Sequence, residues 1–403
     1  MLTIPTPSPH FPFPGTICVA SSGLGHVARG IEAWANDLGQ ALADRGAKVI
    51  LCKGAGSSEA SYEQVVPCWT RESQVARRVL ARIPQFLGWR LGVGNGYGIE
   101  QTTFAWNLLT VLRRARVDIL HVQDPQVAVL VQRAHALGLA RTRTILAHGT
   151  EESLDFQRWI TYLQHLAPWH LEESRRAGVW KPTWAAIPNF VDTERFAPGD
   201  GSPMRGELKI PADAIVVLTS AAIKRHHKRV DYLLREIALL RDQRPQLPLW
   251  LVVAGGWESQ TDELIAEGQR VLGDRVRFLV RFPRQRMAEL YRAADVFVLA
   301  SLKEMMPIAL LEATASGLPC VVNAHPVMQW MVGPGGRSGD LSREGALAGA
   351  LIELALDPHL RRALGGRARE HCVASFGRDA VLDQILDYYR RVFQTTAQVA
   401  SAL

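Results

Sequence analysis

Two carboxylates stand in the otherwise largely apolar stretch SLKEMMPIALLEATASGLPCVV, residues 301–322. Glu304 and Glu312 are separated by seven residues. An ionised carboxylate among apolar side chains costs free energy unless it is paired or hydrogen-bonded. Because a carboxylate accepts two hydrogen bonds side by side, it suits a pair of neighbouring sugar hydroxyls. These two residues therefore indicate a site for a hydroxylated ligand.

The pattern around Glu312 predicts a helix that begins at Pro307 and is capped by Gly317. Glu312 shares a face of this helix with Ile308, Leu311 and Ala315, where a purely structural helix would carry leucine. The helix N-terminus offers N–H groups and a positive dipole end to an anion. Carboxylates for sugar hydroxyls beside a helix end for phosphate together indicate a nucleotide-sugar site. The alternative interpretation is that both carboxylates only cap or solvate the helix.

Short runs rich in β-branched residues alternate with segments of helical spacing, which predicts parallel sheets covered on both faces. The alternation starts near residue 15, and it starts again near residue 214 after a stretch rich in Pro, Gly and Asp. A chain of 403 residues is also long for one core. We therefore predict two Rossmann-like α/β domains that face a central cleft, over residues 1–190 and 207–377, joined by a linker over residues 191–206.

Polar residues follow the predicted strands where ligands bind in such folds. Examples are Gln123-Asp124, His148-Gly149-Thr150, the segment KRHHKR at 224–229, and Gly255-Gly256. We expect Gly255 to form a strand-end turn beside a nucleotide, and the backbone of Arg281 to meet its base. The alternatives are a solvated basic turn at 224–229 and a hydrogen-bonded core histidine at position 148.

The composition excludes some classes and leaves others open. Hydrophobic residues make up 47% and charged residues 21%, as in a folded globular protein. The sequence contains no run of eighteen apolar residues, so we predict no membrane span. The start of the chain does not have the pattern of a secretory signal. Five cysteines without close spacing favour a reducing, cytoplasmic setting. There is no Asp-x-Asp motif and no His/Cys cluster, so we expect neither a metal ion nor a cofactor.

The segments PNFVDTERF, HHKRVDYLL, LYRAADVFVLAS and EMMPIALLEATASGLPCVV resemble the retaining glycosyltransferases of family 4, which have the GT-B fold. In that family a Glu, seven residues and a second Glu form a hallmark, which falls here on Glu304 and Glu312. The resemblance implies that Glu312 holds the ribose of a UDP- or GDP-sugar donor. It also implies that Glu304 contacts the donor sugar or its diphosphate.

The resemblance extends to four more positions. The segment RGIEAWANDL places Gly30 beside the diphosphate, with helix–strand packing as its alternative role, and AHGT places His148 near the transferred sugar. Arg225 and Lys228 resemble the basic pair that clamps the diphosphate. The implied catalytic residues are His148, Glu304, Lys228 and Arg225. The implied donor-binding residues are Gly30, Arg225, Lys228, Gly255, Arg281, Glu304, Met306, Pro307 and Glu312.

The chain also departs from the family pattern. Met305-Met306 stands where Gly-Phe is common after the first Glu, and Arg29 and Phe190 each replace a usual Gly. These changes alter the walls around the donor sugar. The segment 378–403 is similar to the family's last helix, which crosses back to the first domain.

The resemblance implies metal-independent, retaining transfer of a sugar to an acceptor hydroxyl. The alternatives are another GT-B enzyme, such as a nucleotide-sugar epimerase, and a non-catalytic sugar- or nucleic-acid-binding protein, which the net charge of +7 would suit. The basic residues are not interleaved with aromatics, so we expect no nucleic-acid partner.

The acceptor is expected to be a sugar, a lipid-linked molecule or another small molecule. The basic stretch 71–92 has apolar residues at helical spacing, which suits the inner face of an anionic membrane. A surface helix that packs on its own domain is the alternative, since Pro84 interrupts the pattern.

Overall fold

The computed structural model describes residues 13–27, 29–84, 86, 88 and 92–394. Backbone contacts divide the chain into two compact units. The first unit holds the residues up to Ile187 and those from Leu382 onward, and the second unit holds Pro188–Val381.

In the described part of the first unit, strands β1 to β7 form one seven-stranded sheet in the order β3-β2-β1-β4-β5-β6-β7. The strands are β1 Ile17–Ser21, β2 Val49–Lys53, β3 Glu63–Val65, β4 Ile119–Val122, β5 Arg143–His148, β6 Tyr162–His165 and β7 Ala185–Ala186. The helices between them are α1 Gly30–Asp44, α2 Gln74–Arg82, α3 Gly96–Arg114, α4 Pro125–Ala136, α5 Leu154–Gln157 and α6 Pro168–Arg176.

All strand pairs of this sheet are parallel, and the chain reverses its direction across the sheet between β1 and β4. Parallel strands are buried on both faces, which is why β1 reads as a continuous apolar run and is buried throughout. β6 was not predicted, because its sequence YLQH is half polar. Its Gln164 and His165 are fully buried polar side chains, and Gln164 Nε2 donates to the carbonyl of Ile187 at 2.9 Å.

The described second unit contains a six-stranded parallel sheet in the order β10-β9-β8-β11-β12-β13. The strands are β8 Ile215–Ser220, β9 Leu249–Gly255, β10 Val276–Val280, β11 Val296–Leu299, β12 Cys320–Asn323 and β13 Gly336–Gly339. The helices are α7 Ser202–Glu207, α8 Val230–Gln243, α9 Thr261–Leu272, α10 Met287–Arg292, α11 Ile308–Ala315, α12 Pro326–Val332, α13 Ala346–Leu356 and α14 Pro358–Phe376. Its direction reverses between β8 and β11, so each unit is doubly wound.

The segment 191–206, predicted as a linker, is packed within the second unit. Phe196 is 2% exposed, and Val191 forms a bridge with Gly377. The Arg369 guanidinium donates to the carbonyl of Thr193 at 3.2 Å. The Pro and Gly residues therefore prevent a long helix or strand here, but the backbone is still held in place.

The last helix, α15 Arg378–Gln394, lies in the segment 378–403, of which residues 395–403 are outside the described residues. From Leu382 onward it belongs to the first unit. Tyr389 Oη lies 2.7 Å from His121 Nδ1, and the Tyr388 hydroxyl donates to the carbonyl of Thr183 at 2.7 Å. These hydrogen bonds fix the helix against β4 and against the segment that precedes β7, both of which are distant in sequence.

In the described part of the basic segment 71–92, α2 covers Gln74–Arg82. Ser73 Oγ caps it by accepting from the Ala76 amide at 3.2 Å, and it ends before Pro84. Leu87, one of the apolar residues at helical spacing in this segment, lies outside the described residues. Within the described ranges, no helix combines the length and the apolar character that a bilayer crossing requires.

Candidate active site

Glu312 lies on α11 of the second unit and is 2% exposed. Arg284 Nη1 donates to its Oε1 at 2.8 Å, and the Tyr291 hydroxyl donates to its Oε2 at 2.9 Å. Burial and the nearby Glu312 carboxylate raise the pKa of Tyr291, so this hydroxyl keeps its proton and remains a donor. The carboxylate on the apolar helix face is therefore compensated by a cation and a phenol.

Sequence reasoning missed Arg284 and the contact of Tyr291 with Glu312. The sequence does indicate that a partner exists, because a buried carboxylate requires a compensating group. It does not indicate which of the three arginines at positions 281, 284 and 286 is that partner. The helix itself begins at Ile308, one residue later than predicted, and Pro307 is its N-cap residue. Gly317 has φ +77 just beyond the helix end, as a glycine cap requires.

Lys228 and Glu304 form an ion pair between Nζ and Oε1, and the Glu304 side chain is 9% exposed. The backbone around Lys228 is unusual, because His227 and Arg229 both have positive φ, at 67° and 52°. A left-handed conformation costs a non-glycine residue about 1–2 kcal/mol. The Arg229 guanidinium helps to compensate, since it donates to the carbonyl of Leu341 at 2.7 Å. This loop thus holds Lys228 in place at a cost in backbone energy.

Arg225 is engaged elsewhere. Its Nη2 donates to Glu267 Oε2 at 2.8 Å, and Nη1 lies 3.9 Å from Asp231 Oδ2. The structure therefore pairs Lys228, but not Arg225, with the Glu304 carboxylate.

The other predicted donor-site positions of the second unit are set by backbone geometry. A Cβ on Gly255 would lie 1.7 Å from the carbonyl oxygen of Ala221, so only glycine fits this strand end. The Arg281 amide donates to the Gly255 carbonyl at 2.8 Å with φ 56. The Met306 carbonyl accepts from Asn189 Nδ2 at 3.3 Å, directly before Pro307.

His148 and Gly30 lie in the first unit. His148 ends β5, is 3% exposed, and its ring centroid lies 5.5 Å from that of His165. Its Nε2 is 3.4 Å from Glu152 Oε2. Burial and the neighbouring imidazoles lower the pKa of His165 to about 3, so His165 is neutral at pH 7. Gly30 is the first residue of α1, and an added Cβ would find nothing within 4 Å.

A further set of polar residues, which we call the β1–β4 cluster, lies where β1 and β4 end in the first unit. Its members are Ser22, His26, Glu32, Arg71, Tyr97, Glu100 and Asp124. Glu100 is fully buried and accepts from the Arg71 Nε at 3.1 Å, from the Arg71 amide at 2.8 Å and from His26 Nε2 at 2.9 Å. Burial alone raises the pKa of Glu100, but the hydrogen bonds from His26 and Arg71 outweigh burial and lower it to about 2.

Asp124 and Glu32 complete this cluster. Asp124 is 1% exposed and accepts from the Ser22 amide at 2.8 Å and from the Tyr97 hydroxyl at 2.7 Å. Burial raises the pKa of both Asp124 and Glu32. Sequence reasoning found Asp124 as a strand-end residue but missed its partners, which come from segments far apart along the chain.

Replacing Glu100 by glutamine should destabilise the protein by about 3 kcal/mol at pH 7, because Arg71 then loses its buried anion. The folded-state pKa of about 2 lies below the usual 4.5, so the ionised carboxylate stabilises the fold fully above pH 4.5. That contribution is lost as the pH falls through about 2. The unfolding temperature of the variant should therefore lie below that of the wild type at neutral pH, and the difference between the two should narrow below pH 4.5. Glu72→Gln, an exposed neighbour, is the control, and a gap that stays constant to low pH would contradict the assignment.

The comparisons with known proteins concern both units. Residues 202–371 match the family model described as glycosyl transferases group 1. Over this segment the chain is similar to the group 1 glycosyltransferases. The segment contains Lys228, Arg284, Glu304 and Glu312, whereas Gly30 and His148 lie outside it.

Curated relatives match over part of the chain. D-inositol 3-phosphate glycosyltransferase of Kribbella flavida is 34% identical over 216 residues, which cover 51% of this chain and 50% of the relative. D-inositol 3-phosphate glycosyltransferase of Streptomyces avermitilis is 32% identical over 52% of this chain and 47% of that protein. The chain thus spans about half the length of the curated relatives it matches.

Solved structures match over nearly the whole chain. Sucrose-phosphate synthase from Thermosynechococcus elongatus superposes with a TM-score of 0.75 at 21% identity, over 94% of this chain and 100% of that chain. Anabaena Alr3699/HepE, solved with UDP and glucose, gives 0.71 at 15% identity over 93% and 99% of the two chains. At these identities the likeness establishes the fold, and the predicted GT-B fold is confirmed.

Proposed function

We propose that the protein is a retaining glycosyltransferase that moves a sugar from a UDP- or GDP-sugar to an acceptor hydroxyl without a metal ion. The observation that carries this proposal is the pair of compensated carboxylates in the segment that matches the group 1 family model, Glu304 with Lys228 and Glu312 with Arg284 and Tyr291. Ligand hydroxyls can donate to such carboxylates, and Lys228 offers its charge to a phosphate.

The donor is proposed to bind to the second unit from its base to its sugar. The Arg281 backbone beside Gly255 meets the base, and Glu312 accepts from the ribose hydroxyls. Lys228 and the N-terminus of α11, preceded by Met306 and Pro307, bind the diphosphate. Glu304 accepts from the donor sugar. Arg225 has a weaker role, because Glu267 and Asp231 already hold its guanidinium.

In the proposed reaction, the bond between the anomeric carbon and the diphosphate oxygen breaks while the acceptor oxygen bonds to the same face of that carbon. The acceptor proton passes to the departing phosphate oxygen. Negative charge grows on the leaving diphosphate, and fixed cations and N–H groups that point at it lower the barrier. His148 and Gly30 are proposed to lie beside the transferred sugar and the diphosphate, respectively.

A panel of UDP-, GDP- and ADP-sugars tests this function in two measurements. Thermal shift should detect the donor, because a ligand that binds the native state raises the unfolding temperature. Release of the nucleoside diphosphate, with NMR of the product, should then show transfer with retained anomeric configuration that EDTA leaves unchanged. The proposal fails if no nucleotide sugar binds, and an epimerised nucleotide sugar as the product would favour the epimerase alternative.

We also propose that α2 brings the first unit to an anionic membrane. Ala76 is the one residue of this nine-residue helix that is buried, Val75 is 41% exposed, and the helix carries three arginines without an acidic residue. Vesicles with a high content of phosphatidylserine should co-sediment the protein at low salt. The double substitution Arg77→Glu and Arg78→Glu should weaken binding by about tenfold or more.

The matched control is Arg175→Glu with Arg176→Glu on α6, where both side chains are also exposed. Equal loss of binding in the two double variants would show that net charge, rather than α2, is responsible. Absence of co-sedimentation at low salt would remove the membrane proposal.

A further inference from the structure

The β1–β4 cluster has no part in the proposed donor site, yet it lies where ligands bind in doubly wound sheets. The chain reverses between β1 and β4, and doubly wound folds bind their ligands beyond the carboxyl ends of the strands at such a reversal. Glu32 lies in the first turn of α1, two residues after Gly30, which is exposed. Asp124 lies two residues after β4, at the N-cap position of α4, and its side chain makes no capping hydrogen bond.

The cluster has more negative than positive charge. Arg71 is the arginine within it, and its Nε and Nη2 are both directed at Glu100. His26 Nε2 lies against the same carboxylate. Glu32 and Asp124 thus have no ion pair with a cation of the cluster, although Arg71 acts on both carboxylates from a distance and Arg29 acts on Glu32. A buried carboxylate without a cation favours a ligand that supplies positive charge.

Three buried polar atoms at this edge of the sheet have no hydrogen-bond partner among the described residues. They are Glu32 Oε2, Gln123 Nε2 and Ser21 Oγ, and their residues are 5%, 3% and 0% exposed. Buried polar groups in native proteins are nearly always hydrogen-bonded, so such a concentration requires an explanation. A polyhydroxylated ligand with donors and acceptors of its own would satisfy them.

Two of these side chains, Glu32 and Gln123, pack closely against glycine residues. A Cβ on Gly23 would lie 2.1 Å from Glu32 Oε1, and a Cβ on Gly149 would lie 2.4 Å from Gln123 Oε1. Gly149 follows His148, so the cluster continues along the sheet edge to the histidine proposed to lie near the transferred sugar.

We propose that the β1–β4 cluster binds the acceptor, and that this acceptor is a polyol that carries a protonated amine, such as an amino sugar or an aminocyclitol, and no phosphate. The inference rests on the proposed function and names the substrate class of its acceptor site. The ammonium group donates to Glu32 Oε2, and the neighbouring hydroxyls bond to Gln123 and Ser21. A phosphate at Glu32 Oε2 would meet the Glu32 and Asp124 carboxylates, whereas the donor diphosphate is proposed to lie at the exposed Gly30 end of α1. The curated relatives, by contrast, carry D-inositol 3-phosphate in their names.

The test compares acceptors that share one ring. Isothermal titration with D-glucosamine, D-glucose and D-glucose 6-phosphate is carried out on the full chain saturated with UDP or GDP, together with a panel of aminocyclitols. We expect the amines to bind at least about tenfold more tightly than their neutral counterparts, and the phosphate to bind most weakly. Glu32→Gln should remove the preference for the amine while it leaves donor binding intact.

Asp44→Asn, at the other end of α1, is the matched control and should keep the preference. Tighter binding of the phosphate, no binding of any amine, or an unchanged preference in Glu32→Gln would each overturn the inference. Donor binding is measured separately by thermal shift. If no nucleotide sugar binds, the result counts against the proposed function. If the donor binds but the protein does not prefer amines, the result counts against the acceptor class alone.

Discussion

Replacing Glu312 by alanine is expected to weaken nucleotide-sugar binding by about 100-fold or more. The proposed role gives the carboxylate two hydrogen bonds from ribose hydroxyls, and a hydrogen bond to a charged group contributes about 1.5–3 kcal/mol. Two such bonds correspond to a factor of about 100 or more in the dissociation constant. Titration of the nucleoside diphosphate and of the intact donor into wild type and variant measures this loss.

The carboxylate also holds Arg284 and Tyr291, so the variant requires a test of its fold. Circular dichroism and thermal unfolding provide that test. Tyr291→Phe removes the phenol bond to Glu312 and keeps the carboxylate, so it should weaken binding far less. Glu289→Ala on α10 removes an exposed carboxylate paired with Arg286 and should bind normally. A folded Glu312→Ala protein with near-normal affinity would contradict the ribose assignment.

Replacing Lys228 by methionine should lower kcat by about 100- to 1,000-fold and change the donor dissociation constant much less. The ammonium group is proposed to meet charge that grows on the leaving diphosphate in the transition state. Removing one preorganised donor to such a charge typically costs a factor of this size. In the ground state Glu304 already neutralises the ammonium, so a bound donor gains little extra from it.

Single-turnover measurements at saturating donor separate this effect from binding. Lys224→Met, in the same loop, is the matched control, because Lys224 forms no contact with Glu304 in the described structure. A variant that loses affinity and turnover in equal proportion would place Lys228 in simple donor binding. Normal transfer would remove it from the site.

The sequence predicted the parts of the fold and site that depend on local periodicity. The helix that carries Glu312 followed from apolar spacing, and the cap at Gly317 from the requirement for positive φ. β6 was missed because Gln164 and His165 are polar, and only their tertiary hydrogen bonds permit their burial.

The parts that could not be predicted depend on contacts between distant residues. Arg71 and Glu100 are 29 residues apart, and Lys228 and Glu304 are 76 residues apart. Sequence patterns identify each charged residue but do not indicate which of several candidates will be its partner. For the same reason Arg225 was expected to act beside Lys228, whereas in the structure Glu267 and Asp231 pair with the Arg225 guanidinium.

The arginine and phenol around Glu312 have a consequence for selectivity in the proposed site. Because Arg284 already neutralises this carboxylate, the nucleoside end of the site is electrically balanced before any ligand arrives. Recognition there depends on the number and geometry of hydroxyl groups, so ribose and deoxyribose differ while ionic strength has little influence. Salt sensitivity is then confined to the diphosphate end of the donor, where the ligand itself carries the charge.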